Sequence, residues 1–95
     1  MNRINKIELH LREISSASDL HELLFSSLKL PDYYGKNWDA FWDVIENKNV
    51  LPKELVLHNW SALESNLPKE AQLMKDCLTD YQNEKSGLPC KVVYT

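Results

Sequence analysis

Asp39 and Asp43 stand four residues apart at the end of Pro-Asp-Tyr-Tyr-Gly-Lys-Asn-Trp-Asp-Ala-Phe-Trp-Asp, residues 31–43. On a helix that spacing is one turn, so the two carboxylates project side by side. Paired carboxylates suit acid–base chemistry if a pocket perturbs one of them. Left exposed, they suit the binding of something cationic, or are simply two solvated acids. Like charges at this spacing cost an isolated helix about 0.2–0.5 kcal/mol. The partial positive charge of a helix N-terminus offsets part of that cost for Asp39. Tyr33, Tyr34, Trp38 and Trp42 lie around the pair, and a doubly acidic face among aromatics favours a cationic partner.

The elements that must position these residues follow from periodicity and breakers. Ile7, Leu9 and Leu11 alternate with Glu8, His10 and Arg12, which predicts a strand with one buried face. Ser18 or Asp19 can cap a first helix, with Glu22 at capping-box distance from Asp19. The apolar stripe of that helix is Leu20, Leu23, Leu24 and Leu28, and Pro31 ends it. Tyr33-Tyr34-Gly35 is a turn, where Gly35 permits a tight backbone. Asn37 is the cap of a second helix running to Asn47, with Trp38, Phe41, Trp42 and Ile45 inward. Asp39, Asp43 and Glu46 fall on the neighbouring, more exposed face.

Leu55-Val56-Leu57 is a short continuous apolar run, as in a strand covered on both faces. Asn59 precedes one helical turn, Trp60 to Leu63, and Trp60 packs where the strand turns into it. Pro68 suits the first position of a longer helix with the stripe Leu73, Met74, Cys77, Leu78 and Tyr81. Gly87 and Pro89 break the chain before a last strand, Lys91-Val92-Val93-Tyr94. Alternation of strands with helices predicts an α/β fold with a small parallel sheet.

Ninety-five residues fit a single domain, 1–95, with one core. No apolar run approaches the roughly 20 residues that span a bilayer. The start, Met-Asn-Arg-Ile-Asn-Lys-Ile-Glu, lacks the hydrophobic segment of a secretory signal, which predicts a cytoplasmic chain. Cys77 and Cys90 have neither Cys-x-x-Cys nor Cys/His spacing, so free thiols and no metal site are expected. The net charge is only −3, but Asp32, Asp39, Asp43 and Glu46 face the single base Lys36 between Pro31 and Asn47. Such a patch argues against direct nucleic-acid binding, which needs clustered Lys and Arg, and suits a basic protein.

Tyr33-Tyr34-Gly35, Asn37, Asp39-Ala40 and Trp42-Asp43 together resemble the signature of the barstar family, intracellular protein inhibitors of secreted ribonucleases. Ser18-Asp19-Leu20-His21 and Leu55-Val56-Leu57 extend the resemblance at compatible spacing. It covers nearly the whole chain and is dense from about Ser18 to Asp43. It implies a three-stranded parallel sheet packed with about four helices, and a protein partner: a barnase-like ribonuclease or a related toxin nuclease. It implies no catalysis, no cofactor and no membrane.

Residue by residue, the resemblance makes Asp43 the dominant contact, with Asp39 beside it, both standing in for RNA phosphates in the enzyme's active site. It makes Tyr33 an aromatic packed on the enzyme's catalytic histidine and Tyr34 structural. Gly35 offers an exposed amide, Asn37 chiefly caps, Trp42 is core or interface, and Glu46 adds charge. Trp38 stands where the family usually has a smaller aliphatic residue and is read as core or a flank of the sheet. Asn47-Lys48 replaces a Gly-Trp pair of the prototype, and Lys36 replaces an acid, so both lysines bring positive charge to an acidic face. An acidic contact on the last long helix falls near Gln82, with Asp80 and Glu84 alongside. His21 resembles a core histidine of the family; His10 and His58 read as strand ends. Two further functions stay open: immunity against a different toxin nuclease, and a small acid–base enzyme pairing Asp39 or Asp43 with a histidine.

Overall fold

The computed structural model describes residues 4–84 and 88–95. The expectations that rest on Met1–Arg3 and on Gly87 lie outside the described residues. Three strands and four helices follow in the order β1 (Lys6–His10), α1 (Ala17–Ser27), α2 (Trp38–Asn47), β2 (Glu54–His58), α3 (Trp60–Asn66), α4 (Pro68–Asn83) and β3 (Lys91–Tyr94). The sheet order is β1-β2-β3 and both pairings are parallel, with Leu9 opposite Leu57 and Leu55 opposite Val92. This is the α/β architecture with a three-stranded parallel sheet that the resemblance implies.

Alternation in β1 sends Leu9 into the core and leaves Glu8 and His10 exposed. In β2 the residues Leu55, Val56 and Leu57 are all buried, as a central strand of a parallel sheet requires. Leu20 and Leu24 from α1, Phe41 and Ile45 from α2, and Met74 and Leu78 from α4 complete the same core. β2 pairs with both β1 and β3, and α2 lies against α4.

The helix ends depart from expectation in instructive ways. The N-cap of α1 is Ser16, whose hydroxyl accepts from the Asp19 N–H at 3.1 Å, so neither Ser18 nor Asp19 is the cap. The helix also ends before Pro31 can act: the Leu28 N–H donates to the Leu24 carbonyl and the Leu30 N–H to the Phe25 carbonyl. That closure needs a left-handed residue, which is Lys29 at φ 52°. Lys36, Asn49 and Asn59 take left-handed backbone too, in a chain with only two glycines. α3 runs to Asn66, well past the single turn expected, while α4 does begin at Pro68. No helix among the described residues is long and apolar enough to cross a membrane.

Candidate functional site

α2 is the element on which the candidate residues converge. Asn37 caps it: its side-chain oxygen accepts from the Ala40 N–H at 2.7 Å, and its amide donates to the Gly35 carbonyl at 3.3 Å. Phe41, Val44 and Ile45 form the buried stripe, and Trp38 and Trp42, one turn apart, lie half-buried along one edge of it. Asp39, Asp43 and Glu46 are exposed. Sequence spacing and structure agree on this division, because a 3.6-residue repeat leaves little freedom in it.

The preceding loop separates its two tyrosines. Tyr33 is 67% exposed, whereas Tyr34 is only 5% exposed and its hydroxyl hydrogen-bonds His21 Nδ1 at 2.5 Å. Burial pushes the Tyr34 phenol far above its ordinary value. His21 is itself buried and faces the Trp38 ring at 4.4 Å between centroids. Its pKa is lowered by burial, which a nearby Glu70 opposes. Gly35 is exposed, and the positive φ of this turn falls on the next residue, Lys36, at 56°. A Cβ on Gly35 would meet Ala40 and Asn37 at 3.4 Å, close to ordinary contact.

Two positions that differ from the family prototype find partners away from the acids or in support of them. The Lys36 ammonium pairs with Glu22 of α1 and sits 5.7 Å above the Phe25 ring, so its charge is directed toward α1. The Asn47 amide donates to the Asp43 carbonyl at 2.9 Å and to Asp43 Oδ1 at 3.0 Å. Asn47 therefore orients the Asp43 carboxylate, a role its sequence position signals only through the four-residue spacing. Lys48, the C-cap of α2, stays exposed.

Between α2 and α4 lies a groove of about 480 Å³, lined by Trp38, Asp39, Trp42 and Asp43 from α2 and by Leu73, Asp76, Cys77 and Asp80 from α4. Trp38 is thus neither simple core nor sheet flank. Its indole N–H donates to Glu70 Oε1 at 2.9 Å, which ties α2 to the first turn of α4. Leu73 and Cys77, expected on the core stripe of α4, are only half-buried and line this groove. The Cys77 thiol is pushed up to about 11 by burial and then by Asp80, Asp76 and Asp39. Cys77 is a half-buried free cysteine, and the buried Cys90 thiol donates to the Lys91 carbonyl at 3.7 Å.

Glu46 meets Glu84, the C-cap of α4. Desolvation raises its carboxyl pKa first, then repulsion by Glu84 and a hydrogen bond that protonated Glu46 donates to Glu84, then repulsion from Asp43. Sequence reasoning singled out Asp80 and Glu84 but missed Asp76 and Leu73. The four-residue spacing of 76, 80 and 84 was the available signal, since it puts one acid on each successive turn of one helix face. The histidines are engaged elsewhere: His58 Nε2 lies 2.8 Å from Glu8 Oε1 and stacks on His10 at 4.7 Å, while His21 meets Tyr34. Among the described residues no group of three His, Cys, Asp or Glu side chains could hold a metal ion.

An α/β domain whose parallel sheet supports a capped helix, an exposed tyrosine at its start and acids along its outer face has known counterparts. Residues 4–95 match the model of the family described as Barstar (barnase inhibitor), and the chain belongs to that family. It is also 33% identical over 81 residues to Putative ribonuclease inhibitor YrdF of Bacillus subtilis (strain 168), an alignment spanning 85% of this chain and 89% of that protein.

Proposed function

We propose that the protein inhibits a secreted, barnase-like ribonuclease by seating the outer face of α2 in the enzyme's active site. The observation that carries this reading is the geometry around Asp43. Its carboxylate is exposed, oriented by Asn47 and flanked by Asp39 and Trp42, and the loop cation Lys36 is paired with Glu22. Asp39 and Asp43 occupy the positions of substrate phosphates, where charge-assisted hydrogen bonds to Arg, Lys and His become strong once water is excluded. Tyr33, exposed before the helix, packs on the enzyme's catalytic histidine, and Trp42 supplies apolar area beside the acids. Gly35 offers its amide at the rim, Asn37 holds the helix start in register, and Glu46 extends the negative field.

In this reading the chain acts as one domain in the cytoplasm, performs no chemistry and uses no cofactor. Occlusion blocks the enzyme, and long-range attraction speeds the encounter. The acid–base alternative loses support because His21 is bonded to Tyr34, His58 to Glu8, and His10 stacks on His58. A toxin nuclease of another kind is the second reading, favoured by the exposed Lys48 at the end of α2. Titrating the protein against a small secreted barnase-like ribonuclease, with Asp43→Ala in parallel, tests the proposal. Stoichiometric inhibition that the variant loses is the expected result. An absence of inhibition at micromolar protein would transfer the face to the other nuclease class. There, association that is indifferent to salt would argue against an acid-on-base contact of any kind.

A further inference from the structure

The loop before α2 is gripped by α1 at two points. Tyr34 turns inward, its hydroxyl bonded to His21 and its ring parallel to that of Phe25, 6.5 Å away between centroids. Lys36, two residues on, folds back over the surface. Its ammonium pairs with Glu22 and lies 5.7 Å from the centroid of the same half-buried Phe25 ring. Spacings of three and four put residues 21, 22 and 25 on adjoining turns of one α1 face, so one stretch of helix engages both neighbours of Gly35. Tyr33, 67% exposed, and Gly35 are left facing outward. Lys36 makes this return in left-handed backbone, at φ 56°, a conformation unfavourable for any residue with a Cβ. Glycine next door could take it without that cost, so side-chain contacts of Lys36 fix the turn one residue later.

The same pair decides the sign of the charge at the loop. Lys36 is the single base between Pro31 and Asn47, and a lysine left free there would repel a basic enzyme. Paired with Glu22, it is neutralised from a helix outside the proposed contact face. Both side chains are about half exposed, so the pair adds little to stability and its value lies in placement and charge. We propose that Glu22, together with Phe25, is a positioning residue of the inhibitor. It clamps Lys36 against α1, which sets the path of residues 33–35 and cancels the positive charge that would oppose a basic enzyme. Glu22 itself makes no contact with the enzyme and acts through Lys36. This role rests on the inhibitor reading for the class of partner, whereas the clamp can be read in the free protein.

The test is a double-mutant cycle of Glu22→Gln and Lys36→Gln in the full chain. It is read by stopped-flow association with a small barnase-like ribonuclease, and by backbone amide resonances of the free protein. Glu22→Gln is expected to shift the Gly35 and Lys36 amides and, at low ionic strength, to slow association about two- to fivefold. High salt should erase the rate effect. In the Lys36→Gln background both effects should vanish, because Glu22 then has no cation to hold. Glu64→Gln, which removes the same charge from the exposed side of α3, should slow association far less. The urea midpoint of Glu22→Gln should stay near that of the parent. Equal slowing by Glu64→Gln, or an effect of Glu22→Gln that survives in the Lys36→Gln background, would overturn the proposal. A parent that fails to inhibit would sink the inhibitor reading and the enzyme-facing role with it, whereas the amide shifts would still decide the clamp.

Discussion

One helix, α2, separates two polar regions that obey opposite rules. On its inner side His21, Tyr34, Trp38 and Glu70 form a chain of partnered groups: hydroxyl to imidazole, imidazole against indole, indole N–H to carboxylate. On its outer side Asp39, Asp43 and Glu46 face Asp76, Asp80 and Glu84 with no base between them among the groups that line the groove. The inner region shows what a buried polar group needs, since an unpaired one costs about 1–3 kcal/mol. The outer region keeps like charges together, which exposure to water makes inexpensive. Partnered groups hold the inner side in place, whereas the outer carboxylates, though Asn47 and Gln72 donate to Asp43 and Asp76, keep a net negative charge that a cationic partner can complete.

Substitutions at each side sharpen that contrast. The largest effect belongs to the outer side. Asp43→Ala should weaken the ribonuclease complex by several kcal/mol, within the hot-spot range whose upper end is itself a measurement on the barstar–barnase pair and serves here only as a ceiling. Its urea midpoint should stay at or above that of the parent; a large loss of stability would mean that Asp43 holds the fold. On the inner side Tyr34→Phe should do the reverse. Removing the hydroxyl leaves the buried His21 Nδ1 without its partner, at a cost of about 1–3 kcal/mol in urea denaturation. The folded variant should still inhibit.

A pH effect comes next and also belongs to the inner side. Because burial depresses His21, the unfolded chain takes up this proton at higher pH than the folded one. Its contribution to stability is complete above about pH 6.5, the ordinary imidazole value, and is lost as pH falls below that. Urea midpoints between about pH 7 and 5 should decline, and His21→Gln should flatten the decline in that window. Glu8 is lowered mainly by its hydrogen bond from His58, so its contribution is present above the ordinary carboxylate range and lost below it. A decline confined to that lower range would assign the effect to Glu8. The smallest effect is expected from Asn47→Ala, which frees the Asp43 carboxylate to rotate. It should reduce affinity by about 1 kcal/mol or less with little change in melting temperature, and no change in affinity would remove the orienting role.

Much of this arrangement was legible in local patterns. Asn37 is a cap by its chemistry, Asp39 and Asp43 share a face by their spacing, and Pro68 opens α4 because it lacks an N–H to leave unsatisfied. Helix ends were less legible, because several residue types compete for each role. Ser16, Ser18 and Asp19 can all cap, and the folded chain uses the first. Gly35 is the residue best able to turn left-handed, yet Lys36 does so, its ammonium held by Glu22 and placed over Phe25.

Local sequence was enough for the α/β class, the central position of Leu55-Val56-Leu57 and the acidic outer face of α2. Each depends on neighbours within one or two turns, where backbone periodicity leaves few alternatives. It took the assembled fold to draw Leu73 and Cys77 from the α4 core stripe into a groove, to bring Trp38 to Glu70, and to set Asp76 and Asp80 against Asp39 and Asp43. Those outcomes depend on how two helices lie against each other, and that packing is set by the whole core and not by any stretch of chain alone.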